Sequence, residues 1–495
     1  DAGSKSSLLE RGERCVYDLL IRGGHLLTMT GDGVGFVENG AVAINGRRIV
    51  AVGPRESIEA NDRARQTIDA TNRLVMPGLI DAHVHSAATI ARGLAQEVET
   101  WMGSAYGPLM RHAFDDDAPL WTTLALMEGI AAGTTTFGDY EYPMEHLVQT
   151  HVRMGNRAVV CQGVSEVDWS QRERWQEQGW RPGEPALLDP AVGERGLEGE
   201  IALFERWHDH DGGRIRVVFG PIAADMVSEA LLLRCQDEAR KRGTLIHLHV
   251  AQDPRENNAT LRRAGLRAIP YLDSIGLLAP ETIAVHLSTA TPDEVRLVAE
   301  KSGRMACCSN SIGIIDGVVP PAGLFRDSGG AVALGSDQAA GNNSHNVFAE
   351  MRATAMFAKI AAGSPLPLPA WQVLRMATID GARVLGIEDR VGSLEEGKEA
   401  DLILLDLTRP PLAPVVMRPA RNLVPNLVYA EMGANVRLTM VAGRVIYQDG
   451  AFANVDHASL MDDVAAATAR FEAAAEADPA VESLPIVELS RAGKI

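Results

Sequence analysis

The chain has 495 residues, 46% hydrophobic and 23% charged, a composition ordinary for a globular protein and long enough for a barrel plus a satellite unit. Its net charge of −18 makes nucleic acid and anionic membrane surfaces poor partners, and because the acidity is dispersed it reads as solubility. No apolar run spans a bilayer, no charged-then-apolar leader stands out, and the five cysteines (Cys15, Cys161, Cys235, Cys307, Cys308) lack motif spacing, so a cytoplasmic protein with reduced thiols is expected.

Residues 1–7 read as a disordered leader. From 15 to 73 strands alternate with turns, including a hairpin that turns at Asn45-Gly46. From 74 to 386 short apolar runs alternate with amphipathic segments such as 228–242 and 292–301. The strand candidates are residues 74–76, 134–137, 158–162, 215–220, 244–249, 282–286, 305–309 and 331–336. Eight strand–helix units in sequence are the signature of a (β/α)8 barrel of the TIM type. The longest gap, 166–213, is expected to hold a long loop and a helix over 196–208 at the barrel mouth. From 387 to 456 the β-pattern returns, with a hairpin at Ala442-Gly443, and these strands are expected to join the N-terminal ones in a small β-sandwich. Residues 457–495 form a tail, alanine-rich and helical to about 477.

The stretch that organises the chain is Pro77-Gly78-Leu79-Ile80-Asp81-Ala82-His83-Val84-His85. Two histidines two apart on a strand point the same way, which brings two imidazoles to one cation. Catalytic groups of such barrels sit at the C-terminal strand ends. There the fifth run carries His247-Leu248-His249, the sixth ends in His286 and the eighth leads into Asp337. Imidazole and carboxylate donors suit Zn²⁺ and related divalent ions. By period two, His247 faces the same side as His249 but one pleat deeper, either touching the site or supporting it from behind.

These runs, with CCSNS at 307–311, the stretch from Leu334 to Arg352 and GSLEEGKEADLILLD at 392–406, resemble the amidohydrolase superfamily over nearly the whole chain. The branch they resemble most is the triazine-hydrolase and chlorohydrolase-like group, which includes adenosylhomocysteine and guanine deaminases. The resemblance implies one metal held by His83, His85, His249 and Asp337, with Zn²⁺ first and Co²⁺, Mn²⁺ or Fe²⁺ as alternatives. It makes His286 a partner of the attacking water or of the substrate oxygen, and Asp337 the group that takes and returns a proton. Binuclear members bridge two metals with a carbamylated lysine, but no lysine lies between Lys5 and Lys241, so a carbamate-bridged pair is excluded and a mononuclear centre is expected unless a Glu or Cys bridges instead. Relatives also suggest a homo-oligomer.

One residue departs from the pattern. Deaminases of this branch carry a Glu three residues after the fifth-strand histidine, to protonate a ring nitrogen; here that position is Gln252. An amide cannot donate a proton and regenerate at neutral pH. The expectation is therefore hydrolysis of an amide, urea, carbamate or thiocarbamate, as in molinate and phenylurea hydrolases, with deamination or dechlorination of a nucleobase, nucleoside or triazine as the alternative. Neighbouring Asp253 is the candidate to take over the shuttle. A third possibility is a catalytically dead barrel acting as a scaffold, but such relatives lose metal ligands and this chain keeps them.

Further lining residues are proposed from strand ends and mouth loops. Gln162 ends the third run and Asn310 follows the seventh. His345 lies in the loop after Asp337, as a substrate contact or a solvated loop residue. Trp101 follows the first strand, as pocket wall or core packing. His112, His146, His151, His208 and His210 read as solvated.

Overall fold

The structure, a computed structural model, describes residues 16–59, 63–179, 184 and 186–495. The expected leader (1–7) and Cys15 lie outside the described residues. Pro77-Gly78 divides one apolar run between two sheets. Before it, Arg73–Pro77 lies antiparallel to Leu402–Asp406, with Met76 opposite Ile403, and parallel to the end of Val16–Leu27. After it, Leu79–His85 enters the barrel. Residues 74–76, expected as the first barrel strand, therefore belong to the terminal sheet: proline ends that ladder because it has no N–H. Glycine is required next, since a Cβ at Gly78 would stand 2.1 Å from Cγ2 of Thr135.

The barrel runs in order through Leu79–His85, Thr134–Glu141, Arg157–Val164, the split strand Ile215–Val217 and Gly220–Pro221, Ile246–Val250, Thr282–His286, Arg304–Cys307, and the split strand Ala331–Leu334 and Asp337–Gln338. Neighbours pair in parallel, a bridge from Phe219 to Ile246 joins the fourth to the fifth, and Asp337 beside Val84 closes the ring. Both faces are buried, as parallel sheets demand. Ile80, Ala82, Val159, Cys161, Ile283 and Val285 meet in one cluster, while the alternate Leu248, Val250, Ala284 and Met305 join the large cluster shared with the helices. Each buried Ile, Val, Leu or Met among them contributes roughly 1.5–3 kcal/mol.

The helices are bounded by local chemistry. Ser228 caps Glu229–Arg242, and Gly243 closes it in the left-handed region at φ 64°. Thr291 and Glu294 form a capping box on Pro292–Lys301. In the long gap, Pro190–Trp207 packs on the third strand instead of covering the mouth; its buried Glu200 accepts the N–H of Gln162 and of Gly220, each at 2.9 Å.

Strands from both chain ends pair into one small β-rich domain, as expected, through nine hydrogen-bonded strands. Buried Arg157, on the third barrel strand, clamps it to the barrel: Nε lies 2.7 Å from Asp401 and Nη2 2.7 Å from Glu399. The tail helix His457–Ala475 and the short segments after it bring Phe471, Ala475, Val481 and Leu484 against Trp101 and Leu109.

Candidate metal centre

Four strand ends converge at the mouth of the barrel. Nε2 of His83 and Nε2 of His85 each lie 3.7 Å from Oδ1 of Asp337. Nε2 of His249 is 3.4 Å from Nε2 of His85. The His286 ring centre is 5.5 Å from that of His83 and 5.4 Å from that of His249. Donor atoms of His83, His85 and His249 lie within 4.8 Å of one another, as do those of His83, His286 and Asp337. The residues from the two HxH pairs, the lone histidine and the aspartate thus meet in one place.

Each donor is aimed by a second contact. The Ile222 carbonyl can only accept, so Nδ1–H of His249 donates to it at 2.9 Å and Nε2 keeps a lone pair facing the cluster. Nδ1 of His83 lies 3.0 Å from Nε2 of His247, so His247 supports the first ligand from behind. Oδ2 of Asp337 accepts from Ser311 Oγ at 2.6 Å and from Gln338 Nε2 at 3.3 Å, leaving Oδ1 toward the histidines. Tyr140 packs against the cluster, its ring 4.9 Å from that of His249. The backbone is strained where the ligands emerge: Ala251, His286, Leu287 and Asp337 all hold φ between 50° and 77°.

The electrostatics favour a cation. Burial, reinforced by neighbouring histidines, holds His83 and His249 well below the usual imidazole range. Burial brings His247 down to about 3 and His286 to about 4. These are neutral, lone-pair-bearing rings. His83 Nε2 and His286 Nδ1 are buried and have no hydrogen-bond partner among the described residues. Such orphaned atoms cost roughly 1–3 kcal/mol each, and nitrogen donors with one carboxylate oxygen match what a divalent ion takes. The residues present fit the metal.

Further titratable groups lie around the centre. Burial and Asp139 push Glu141, at the end of the second strand, up to about 8. Asp316 is pushed up to about 7 by burial, Asp253 and Asp337. Burial raises Tyr106, with Glu141 and Asp337 adding to it. Asp337 adds to the shifts of both Tyr106 and Asp316, which brings them near the centre; Tyr106 ends the helical turn Met102–Tyr106 and Asp316 follows the helix Ser309–Ile315.

Other expected residues are placed differently. Gln162 points outward, its Nε2 3.3 Å from the Gly196 carbonyl, because on that strand its neighbour Cys161 takes the interior face. Asn310 donates Nδ2–H to Glu350 at 2.7 Å, which occupies its amide nitrogen. His345 is fully buried, with Nδ1 2.9 Å from Ser336 Oγ, and is neither solvated nor at the mouth. Trp101 is core: it stacks on Tyr106 at 4.6 Å within the apolar layer that receives the tail. Asp253 caps Pro254–Ala264, accepting the Arg255 N–H at 2.6 Å, which ties up the carboxyl considered as a substitute shuttle. His151, expected in solvent, is buried and held 2.8 Å from Asp139. Gln252 stands half-buried just past the left-handed Ala251, its N–H 3.2 Å from Glu256 Oε2.

A closed parallel barrel with a histidine-and-aspartate cluster at its C-terminal strand ends defines a metal-dependent hydrolase. The amidohydrolase family profile matches residues 74–446, and the chain belongs to that family. It is 32% identical over 448 residues to a 5-methylthioadenosine/S-adenosylhomocysteine deaminase of Pelotomaculum thermopropionicum, covering 90% of this chain and 96% of that one. It is 29% identical over 462 residues to a 5′-deoxyadenosine deaminase of Methanosarcina acetivorans, covering 93% and 100%. The crystal structure of an adenosine deaminase from Xanthomonas campestris with bound zinc superposes with a TM-score of 0.82 at 27% identity, over 93% of this chain and all of that one. No helix among the described residues is long and apolar enough to cross a membrane. The four described cysteines are free and buried, and burial pushes Cys307 up to about 12, so the Cys307-Cys308 pair reads as packing.

Proposed function

We propose that the chain is a mononuclear zinc-dependent aminohydrolase that replaces the amino group of an adenosine-type nucleoside by oxygen. The observation that carries this reading is the full-length similarity to enzymes named for deaminating 5′-substituted adenosines, combined with a metal cluster that lacks none of its expected members. In this reading His83, His85, His249 and Asp337 hold the ion. When bound, a divalent ion supplies a water whose pKa falls from about 15.7 toward about 7. Asp337 takes the proton of the attacking water at Oδ1 and passes it to the departing amine, while Ser311 keeps Oδ2 occupied. His286, a neutral ring beside Asp337, steadies the charge that develops on the attacked carbon's substituents.

A second reading is favoured by Gln252. Its amide cannot protonate a ring nitrogen, which suits an amide, urea, carbamate or thiocarbamate substrate. Ammonia release by the zinc-loaded protein from adenosine, 5′-methylthioadenosine and 5′-deoxyadenosine, set beside cleavage of a phenylurea and a carbamate, decides between them. Nucleoside turnover supports the first reading. Turnover of only the urea or carbamate would replace it with the second.

A further inference from the structure

We infer that Asp81 is a positioning residue that locks the two ligand-bearing strands together through Ser336, and so sets the geometry of the metal centre. The inference rests on the ligand assignment above and is independent of the substrate. Asp81 is completely buried two residues before His83, and is used neither as a ligand nor in proton transfer. Its carboxylate gathers three donors from two strands. Oδ1 accepts the Ser336 N–H at 2.8 Å and Oδ2 accepts the Ser336 hydroxyl at 2.5 Å. The backbone N–H of His83 also donates to it. One side chain thus ties the backbone that carries His83 and His85 to the backbone that carries Asp337.

The clamp answers a need of the chain. The eighth strand is interrupted between Leu334 and Asp337, and Asp337 sits at φ 61°, a conformation that persists only when its surroundings over-determine it. Gly335 brings the two backbones close, since a Cβ there would stand 2.9 Å from Cβ of His83. Ser336 is fixed from three further directions. The Asn342 side chain donates to its carbonyl at 2.7 Å, and Asp337 pairs onto the first strand beside Val84. His345 lies 2.9 Å from its hydroxyl. A serine hydroxyl has one proton, and here it goes to Asp81, so Nδ1 of His345 must be the donor. His345 is in turn anchored by Glu128, which accepts its backbone N–H at 3.0 Å. Buried His345 therefore has a place in the same chain of contacts: His345 orients Ser336, Ser336 and His83 are held by Asp81, and the spacing between the histidine pair and Asp337 follows.

The test is zinc affinity of the full-length protein, measured by competition with a chromophoric chelator, together with thermal melting of the metal-free protein. Ser336→Ala removes one oxygen, and Asp81→Asn keeps the shape but turns a donor toward the Ser336 hydroxyl. Both are expected to weaken zinc binding by about 10- to 100-fold, the usual consequence of losing support behind a ligand, while melting of the metal-free protein changes little. Zinc affinities within about twofold of wild type for both variants would overturn the inference, as would losses that merely track a fall in metal-free melting temperature. Failure of the wild-type protein to take up zinc would overturn the ligand assignment and the inference with it.

Discussion

Replacing Gln252 by Glu should turn a slow nucleoside deaminase into a faster one. Position 252 is half-buried, three residues past His249, next to Asp253 and hydrogen-bonded through its N–H to buried Glu256. The acidic groups near it show what a new carboxyl would meet. Burial, with Asp225 and Asp253, holds Glu256 well above the carboxylate range, and Asp316 is held at about 7. A carboxyl introduced by Gln252→Glu is therefore expected to be partly protonated at neutral pH, as a general acid must be. Restoring such a group contributes typically about 10²–10⁴-fold, so we expect kcat for adenosine-type substrates to rise by at least about 100-fold, or roughly 2.7 kcal/mol of barrier. The gain should fade as pH rises and the acid form is lost. The assay is coupled ammonia release across pH 6 to pH 9, with Gln252→Ala as the control that adds no acid. A Glu variant that deaminates no faster than wild type anywhere in that range would refute the argument that Gln252 limits proton delivery.

Three further expectations concern the frame and the centre. Arg157→Met strips buried Asp401 of its ion-pair partner and takes one of the arginines from Glu399, which keeps Arg390 and Arg47; this costs about 3–5 kcal/mol; with an unfolding entropy of about 1 kcal/mol per kelvin for a chain of this size, calorimetry should show Tm lower by ~3–5 °C. A fall below about 1 °C would argue that Arg157 is not the clamp between barrel and terminal sheet. Glu399 is buried, which alone would raise it, yet Arg157 and Arg390 bring it down to about 2 from 4.5. Its contribution, about 3 kcal/mol, is complete above pH 4.5 and is lost as pH falls from there through 2, so chemical denaturation should show a loss of stability over that window that Arg157→Met reduces. Asp337→Asn should lower turnover by more than about 10³-fold and weaken zinc binding, read by chelator competition; retained turnover would remove Asp337 from both roles.

The metal centre was legible because its ligands obey local rules. His83 with His85, and His247 with His249, repeat at the period that puts side chains on one strand face, and barrels present strand ends at one rim. The order of the barrel was equally readable in its apolar runs, since buried parallel strands are continuous stretches of apolar residues. What local pattern could not carry is which sheet a short run joins. Residues 74–76 look like any buried strand, and only pairing with Leu402–Asp406, over 300 residues away, assigns them. Facing failed for a similar reason. Gln162, inside the third strand, and Asn310, in the helix Ser309–Ile315, are claimed by Gly196 and Glu350, and His345 is drawn inward by Ser336. The residues that aim the ligands, Ser311, Ile222 and Ser336, are ordinary in sequence and gain their roles from contacts across 26 to 255 positions.

The proposed activity is read from ammonia released from 5′-methylthioadenosine by the full-length protein carrying one zinc ion per chain. It predicts one ammonia for each nucleoside consumed, abolished by chelation and restored by zinc. A protein that holds one zinc yet releases no ammonia from 5′-methylthioadenosine would contradict it.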